Sequence, residues 1–339
     1  MNTLFVGVDM SKDSFAAAAS RCQTTHDFGS FANQASGFTA LAQAVATEQE
    51  RQEVEQVHLI VEATGGYELR LLSFAHEQGW LFSLPNPKQV RDWAKGEGGR
   101  NKNDQIDARN LTQFGVQKRP QPQQPVPEVI SQLDSLLRRQ EDVQKMMREE
   151  RNRQHALAYH PQAAAAAVAS TSRVLAALEA EMQELAEAIQ ALLNANPPLR
   201  TQARRLRTVP GIGAKNNLPI LVLLYRWQAR TNGQGTAKGL TAFVGLDVPE
   251  YSSGISVYKR PTISKMGSPE MRSRLYLGAL GGVRGKNSPL RFFYQRLVGR
   301  GKAKKLALVA ASRKILVWAW AVFSHEVDFD PSRFAANSA

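Results

Sequence analysis

Hydrophobic residues follow two different periodicities along the chain, and the change between them divides it into segments. In the first segment, the short apolar runs LFVGVDM, VHLIVEA and WLFSL predict buried strands. The run SFAAAAS predicts a hairpin with the first strand, joined by the polar turn SKD. Between these strands, apolar residues recur with helical spacing in FANQASGFTALAQAVATEQE and YELRLLSFAHEQG. This alternation predicts an α/β domain over residues 1–117.

A polar stretch with four prolines in ten residues, KRPQPQQPVP at 118–127, ends this segment. From Glu128 to about Asn196, the apolar positions recur with helical spacing, which predicts two long antiparallel amphipathic helices. We therefore assign 118–198 to a linker and a coiled-coil hairpin with a role in assembly. A helical hairpin with only a solvated surface is the alternative. The last segment, 199–339, predicts several short helices and a frayed tail, DFDPSRFAANSA.

Charge is distributed unevenly between these segments. The formal net charge is +13 and the isoelectric point is near 10.0, which favours a polyanionic partner such as nucleic acid. Leu199–Trp320 contains 23 Lys or Arg residues and three acidic residues, whereas Met1–Pro198 contains 19 basic and 24 acidic residues. The basic surface therefore belongs to the C-terminal segment.

Several classes of protein are disfavoured by composition. The single cysteine, Cys22, excludes an intramolecular disulfide and a thiolate metal cage. The N-terminus lacks the basic leader and apolar core of a signal peptide. The most apolar stretch, LALVAASRKILVWAWAVF, is interrupted by Arg313 and Lys314, and its Trp318 and Trp320 are predicted core residues. We expect a cytoplasmic, nucleoid-associated protein without a membrane partner.

Four carboxylates stand out in the N-terminal segment: Asp9 in VGVDM, Glu62 in LIVEA, and Asp104 and Asp107 in KNDQIDARN. Two lie within apolar strand patterns, where a charge needs compensation, and two lie three residues apart on one face of a predicted helix. Singly, each has an ordinary explanation as a turn acid, an edge acid or a first-turn helix acid. Together they predict a Mg²⁺ site, because Mg²⁺ prefers carboxylate and water oxygens and can hold phosphate oxygens during in-line attack.

The glycine-containing segment Pro210-Gly211-Ile212-Gly213 predicts a turn whose backbone N–H groups approach a phosphate, as in helix-hairpin-helix modules. A plain helix-to-helix turn explains the same residues. Neighbouring basic residues favour contacts that position a nucleic-acid backbone without reading its sequence. The predicted nucleic-acid-binding set here is Arg204, Arg205, Arg207, Gly211, Gly213 and Lys215.

The motifs VGVDMSKDSF, VEATGGYE and NPKQVRDWAKGEGGRNKNDQIDA resemble those of the Asp-Glu-Asp-Asp transposases of bacterial insertion sequences, the insertion sequence 110 family of bridge-RNA-guided recombinases. That family's first domain resembles the Holliday-junction resolvase (RuvC-like) version of the ribonuclease H fold. The resemblance implies an α/β ribonuclease-H-like N-terminal domain and a mostly α C-terminal transposase domain. It also implies that Asp9, Glu62, Asp104 and Asp107 bind the metal.

The segments TVPGIGAKNNLPILV and LTAFVGLDVPEYSSGISVYKRPTISKMGSPEMRSRLYLGAL are similar to the family's C-terminal domain, including its Ser-Gly pair and its K-x-G-x-P-x-x-R run. The resemblance implies that Ser253 attacks a DNA phosphodiester and holds the cut strand as a phosphoserine ester. The neighbouring Ser252 leaves this assignment open by one residue. Cations near the serine that favour its ionisation and contact nucleic acid are Lys259, Arg260, Lys265 and Arg272.

The resemblance further implies target and donor DNA, an element-encoded guide RNA, and a homodimer or a tetramer on DNA as partners. A hydrolytic Mg²⁺-dependent nuclease or junction resolvase is the alternative enzyme, with water in place of the serine. From a different class, a non-catalytic nucleic-acid-binding scaffold would use the acids only for structure.

Overall fold

The computed structural model of the protein describes residues 2–22, 24–98, 103–249 and 262–332, and also the backbone of 252–253 and 257–258. The chain forms two compact units. Unit 1 comprises Met1–Pro125 with Gln228–Gln234, and unit 2 comprises Val126–Trp227 with Gly235–Ala339.

Unit 1 is built on a five-stranded mixed sheet with the strand order β3-β2-β1-β4-β5. The central pair, β1 and β4, is parallel, and β1 forms the predicted antiparallel hairpin with β2. The elements are β1 (Thr3–Met10), β2 (Ser14–Ser20), β3 (His26–Ala32), α1 (Ala35–Gln52), β4 (Gln56–Val61), α2 (Leu69–Glu77), β5 (Leu81–Ser83), α3 (Pro87–Gly96) and α4 (Asp104–Lys118).

Helices cover both faces of this sheet, which explains why its central strands are nearly continuous apolar runs. On one face, Leu4, Val6 and Val8 pack with residues of α1 and α2. On the other face, Phe5 and Ile60 pack with residues of α3 and α4. The predicted mixed α/β N-terminal domain is therefore confirmed.

Strand β3 was not predicted, and the helix predicted from Phe31 begins only at Ala35. The sequence of β3, HDFGSFA, lacks an apolar run because β3 is an edge strand and its residues are exposed or half-buried. The strand is tied to α4 by the ion pair between Asp27 and Arg109, whose guanidinium lowers the pKa of the Asp27 carboxyl.

Unit 2 begins with two long antiparallel helices, α5 (Glu128–Ala158) and α6 (Ala165–Ala195), as the periodicity predicts. Val143, Met147 and Leu185 form a small apolar cluster between them, and Arg151 pairs with Glu179 across the hairpin. The remaining elements are α7 (Pro197–Leu206), α8 (Asn217–Arg230), α9 (Ala237–Val244), β6 (Ser252–Ser253), β7 (Val257–Tyr258), α10 (Pro269–Gly282), α11 (Pro289–Gly299) and α12 (Lys304–Ser324). Apart from the two short strands, the mostly helical remainder agrees with the prediction.

Helix α12 lies at the centre of the core of unit 2. Trp318 is 4% exposed and Trp320 is 9% exposed, which confirms their prediction as core residues. The helix is long and apolar enough to cross a membrane, but 56% of its apolar window is buried inside the structure, as in the core helix of a soluble protein. The start of the predicted frayed tail is ordered, because Phe329 packs on Trp318 and its N–H donates to Thr208 Oγ1 at 2.8 Å.

Candidate functional site

Two of the four predicted acids lie at the carboxyl ends of the central parallel strands. The register of β1 and β4 pairs Val8 with Val61, so that Asp9 and Glu62 are the next residues on each strand. The Glu62 N–H donates to the Val8 carbonyl at 3.4 Å. Both acids are half-buried. They are therefore neighbours because of strand register.

The other two acids lie in the first turn of α4, which follows the N-cap Asn103. The Asn103 side chain accepts a hydrogen bond from the Ile106 N–H at 2.8 Å, so α4 begins directly before the two aspartates. Asp104 is exposed and Asp107 is half-buried. Acidic residues at this end also interact favourably with the helix dipole.

Close packing fixes α4 against β1 and β2. The Gly7 N–H donates to Thr112 Oγ1 at 3.0 Å, and this hydroxyl lies 2.9 Å from the Ala18 carbonyl. A Cβ atom at Gly7 would lie 2.2 Å from the Ala108 carbonyl oxygen, so only glycine allows the helix to come this close. Nearer the start of α4, Gln105 Nε2 donates to the Ala17 carbonyl at 3.2 Å.

The face on which the strand acids lie follows from strand alternation. Phe5 and Ile60 pack with α3 and α4, so Asp9 and Glu62, at even spacing from them, share that face. Thr112 contacts Gly7, and Gln105, nearer the start of α4, contacts Ala17, which pairs with Val8, so the first turn of α4 lies toward the carboxyl end of β1. The structure therefore brings all four acids to one face of the sheet, at the carboxyl ends of its central strands. This group is termed here the acidic corner: Asp9, Glu62, Asp104 and Asp107.

The acidic corner supplies only carboxylate oxygens, the donor type that suits Mg²⁺. Within the described ranges, no three His, Cys, Asp or Glu side chains are gathered closely enough to form a ready-made metal site. The donor chemistry thus fits a divalent cation, and the side chains share a location without a converged geometry.

Sequence analysis missed Glu68, which shapes the loop after Glu62. Its buried carboxylate accepts hydrogen bonds from the Thr64 N–H at 3.1 Å and the Gly66 N–H at 3.0 Å. Gly65 and Gly66 both have positive φ, 66° and 104°, which favours glycine at each. The signal was present in VEATGGYE, since an acid two residues after a glycine pair can cap the exposed N–H groups of a turn.

The part of the chain that contains Ser252 and Ser253, termed here the serine segment, lies in unit 2. Ser252 and Ser253 form β6, and their backbones pair with Tyr258 and Val257 of β7. Lys259 and Arg260 lie outside the described residues.

The base of the serine segment is held by polar contacts. The Ser264 N–H donates to the Asp247 carbonyl at 2.9 Å, and the two side chains also hydrogen bond. Arg272, on α10, donates from Nη1 to the Val244 carbonyl at 3.1 Å and the Gly267 carbonyl at 2.6 Å. These contacts join the chain entering the segment to the chain leaving it. The predicted residue Lys265 is exposed in this base, with a φ of 57°.

The predicted glycine turn joins α7 to α8, and its Gly211 and Ile212 pack within unit 2 while Gly213 is exposed. A Cβ atom at Gly211 would lie 2.5 Å from the Ile315 side chain, and the Gly213 N–H donates to Asn216 Oδ1 at 2.7 Å. The Asn216 amide donates in turn to the Gly211 carbonyl at 2.9 Å. These contacts favour the plain helix-to-helix turn among the two interpretations.

The predicted basic residues around that turn have different surroundings. Arg204 forms a two-pronged ion pair with Asp328 at 2.9 and 3.1 Å, and Arg205 pairs with Glu326 at 3.3 Å. Lys215 and Arg207 are both exposed, Arg207 at the end of α7.

The chain is similar to known proteins over nearly its whole length. The profile of the DEDD transposases of the IS110 type, described as "Transposase", matches residues 6–161. A second profile, "Transposase IS116/IS110/IS902 family", matches residues 203–295. The chain is also similar to the "Pilin gene-inverting protein" of Moraxella lacunata, with 30% identity over 337 residues that cover 97% of this chain and 98% of the relative. The protein of the same description from Moraxella bovis is 30% identical over 334 residues, with the same coverage.

Proposed function

Because the chain belongs to the IS110 family of transposases and is therefore a DNA-binding transposase and recombinase, we propose that it exchanges DNA strands through a serine-linked intermediate, with Mg²⁺ at the acidic corner. The observation that carries the proposal is the acidic corner itself. Strand register and the packing of α4 bring four acids to the carboxyl ends of the central strands of one sheet. These acids are separated by up to 98 positions in sequence.

The acidic corner would hold a divalent ion, and its sheet is the ribonuclease-H-like (RuvC-like) part of the enzyme. If the four carboxylates converged they would repel one another, and a cation between them would offset this repulsion. When bound, Mg²⁺ supplies electrostatic stabilisation of the phosphate oxygens. The half-buried residues Asp9, Glu62 and Asp107 would orient it, and exposed Asp104 would complete the set.

Ser253 is the proposed nucleophile. Its Oγ loses a proton to solvent or a nearby base and forms a bond to phosphorus, while the bond from phosphorus to one strand oxygen breaks and that strand leaves as a hydroxyl. Attack by a strand hydroxyl on the phosphoserine reverses the step, so the phosphodiester energy is retained. The tied base of the serine segment supports this role, because a nucleophile must be held in a defined position.

The sequence of the DNA is selected, in this proposal, by an element-encoded guide RNA that pairs with target and donor. The names of the two relatives describe inversion of a pilin gene, which is a rearrangement of DNA. We extend that class of reaction to this chain. Exposed Lys215 and Lys265, with Lys259 and Arg260, would contact the nucleic-acid backbone.

The three predicted domains remain our proposed functional division, with the catalytic acids in 1–117, assembly in 118–198 and the serine in 199–339. The hairpin of α5 and α6 supplies an elongated helical surface, which suits a dimer or tetramer on DNA.

The test is to incubate the purified protein with Mg²⁺, labelled DNA and the RNA transcribed beside its gene, and to look for a protein–DNA adduct that survives denaturation. The wild type should form the adduct, and Ser253→Ala and Asp104→Asn should not. Ser252→Ala is the matched control and should retain it. DNA cleavage by Ser253→Ala without any adduct would replace the proposal with a hydrolytic nuclease.

A further inference from the structure

The most basic part of unit 2 is a segment that the resemblance did not single out. From Arg284 to Lys314 the chain has ten Lys or Arg residues and no Asp or Glu. The segment runs from the end of α10 through α11 into the first half of α12, and these three helices pack together. Eight of its cations are exposed and are termed the α11–α12 basic surface: Arg284, Lys286, Arg296, Arg300, Lys302, Lys304, Lys305 and Arg313.

In the part of the chain that the structure describes, none of these eight residues forms an ion pair with an acidic residue. Several basic residues elsewhere in unit 2 do form such pairs. Arg204 pairs with Asp328, Arg205 with Glu326 and Arg274 with Glu141. The α11–α12 basic surface therefore concentrates positive charge that the fold itself leaves without a neutralising carboxylate.

At two places this part of the chain brings positive charges together. Lys304 and Lys305 lie in the first turn of α12, which has no acidic residue there, and a helix start already carries partial positive charge. Arg296 and Lys314 both approach the Phe293 ring, at 5.7 and 6.0 Å from its centre. Burial and the charge of Arg296 both lower the pKa of the Lys314 ammonium. Packing alone does not account for placing so many like charges together, whereas binding to a polyanion does.

The dimensions suit duplex DNA. The eleven residues of α11 span about 16 Å at about 1.5 Å per residue, and duplex DNA carries one negative charge per about 1.7 Å of its axis. A duplex of that length carries about nine phosphate charges on its two strands together. The surface offers eight exposed cations, of which Arg296 lies on α11 and the others lie before and after it in the chain. Six of the eight lie beyond residue 295, where the second family profile ends.

We infer that the α11–α12 basic surface binds the phosphate backbone of duplex DNA without reading its sequence. This inference rests on the action of the family on DNA and not on the proposed serine chemistry. The surface would hold the duplex while other parts of the complex select the site.

The test measures binding of the full-length protein to a labelled duplex of arbitrary sequence, in EDTA, between about 50 and 200 mM KCl. Chelation of metal separates binding from strand cleavage, so failure of the serine proposal would not affect the result. The variant Lys304→Gln with Lys305→Gln removes two exposed charges. Its control is Arg139→Gln with Arg151→Gln, which removes two charges that are ion-paired with Glu181 and Glu179.

We expect the lysine variant to bind the duplex tenfold or more weakly at about 100 mM salt, with a slope of log K against log[KCl] smaller by about 2. The control should keep the wild-type slope. Because the lysines oppose the dipole of α12, the Tm of the lysine variant should be unchanged or higher. If its Tm falls instead, Arg300→Gln with Lys302→Gln, which lie outside the helix, replaces it in the same comparison.

Equal slopes for the lysine variant and its control would overturn the inference. So would a loss of binding confined to duplex RNA or to phosphatidylserine vesicles, both of which are titrated in parallel. Loss of duplex DNA binding in the lysine variant, with the control unaffected, would support it.

Discussion

The acidic corner and the serine segment are held in place by different kinds of force. The acidic corner is positioned by apolar packing, since α4 lies directly on the two central strands and Gly7 leaves no gap between them. The serine segment is positioned by hydrogen bonds at its base, from Arg272 and Ser264 to the neighbouring chain. Packing tolerates little change in volume, whereas a polar tie depends on the geometry of a few donors. The acidic corner and the serine segment should therefore fail in different ways.

The largest effect should come from filling the contact that sets the acidic corner. In Gly7→Ala, the new methyl group would lie 2.2 Å from the Ala108 carbonyl and 2.3 Å from the Thr112 nitrogen. We expect a loss of at least about 3 kcal/mol in the free energy of unfolding, together with loss of DNA cleavage, because α4 and Asp107 must move away from β1.

Urea denaturation and a cleavage assay measure both quantities. The matched control is Gly96→Ala in α3, where nothing lies within 4 Å and stability should change by less than about 1 kcal/mol. A Gly7→Ala protein with wild-type stability would show that packing does not hold the corner.

Acid should weaken unit 1 through a buried histidine on the same strand as Glu62. Burial lowers the pKa of His58 to about 4, and its Nε2 lies 2.8 Å from Ser83 Oγ. Since the unfolded chain binds this proton at about pH 6.5, unfolding is favoured as pH falls from about 6.5 to 4, by up to about 3 kcal/mol. Urea titrations across this range measure the loss, and His58→Gln should flatten it. If the free energy of unfolding of His58→Gln still falls with pH as steeply as that of the wild type, another group causes the acid sensitivity.

Changing the guanidinium at the base of the serine segment should have a smaller effect. We expect Arg272→Gln to lose about 2 kcal/mol, because the Val244 and Gly267 carbonyls lose their donor, and to slow adduct formation. Arg272→Lys distinguishes geometry from charge. If Arg272 acts as a positioning residue, lysine should restore little of the rate, whereas full restoration would assign it a purely electrostatic role. The KM for DNA, measured alongside, should change less than the rate.

The smallest expected effect is that of Ser264→Ala, which removes one side-chain hydrogen bond to Asp247. The loss should be about 1 kcal/mol, with a modest decrease in adduct formation. Ser273→Ala, at an exposed position on α10, is the control and should match the wild type. Equal behaviour of the two variants would indicate that the Ser264 hydroxyl does not help to hold the base.

Sequence reasoning predicted the acidic corner better than the serine segment, for a physical reason. Apolar runs predict β1 and β4, and Asp9 and Glu62 at their ends follow from the strand assignment. Hydrogen bonds between distant residues have no such local signal. Arg272 reaches a carbonyl 28 positions away, and Arg204 reaches Asp328 across 124 positions. The polar edge strand β3 was missed for a related reason, since its pairing depends on its neighbour rather than on its own pattern.

The order of the strands also determines which motions of the sheet leave the positions of Asp9 and Glu62 unchanged. β1 and β4 each have a neighbour on both sides, while β3 and β5 lie at the edges of the sheet. Partial opening of a domain usually begins at such edges, and the amides of central strands exchange with solvent only in its rarest openings. The edge strands can therefore detach and return while Asp9 and Glu62 keep their register, so the spacing of these two acids should persist through fluctuations that disrupt the rim of the sheet.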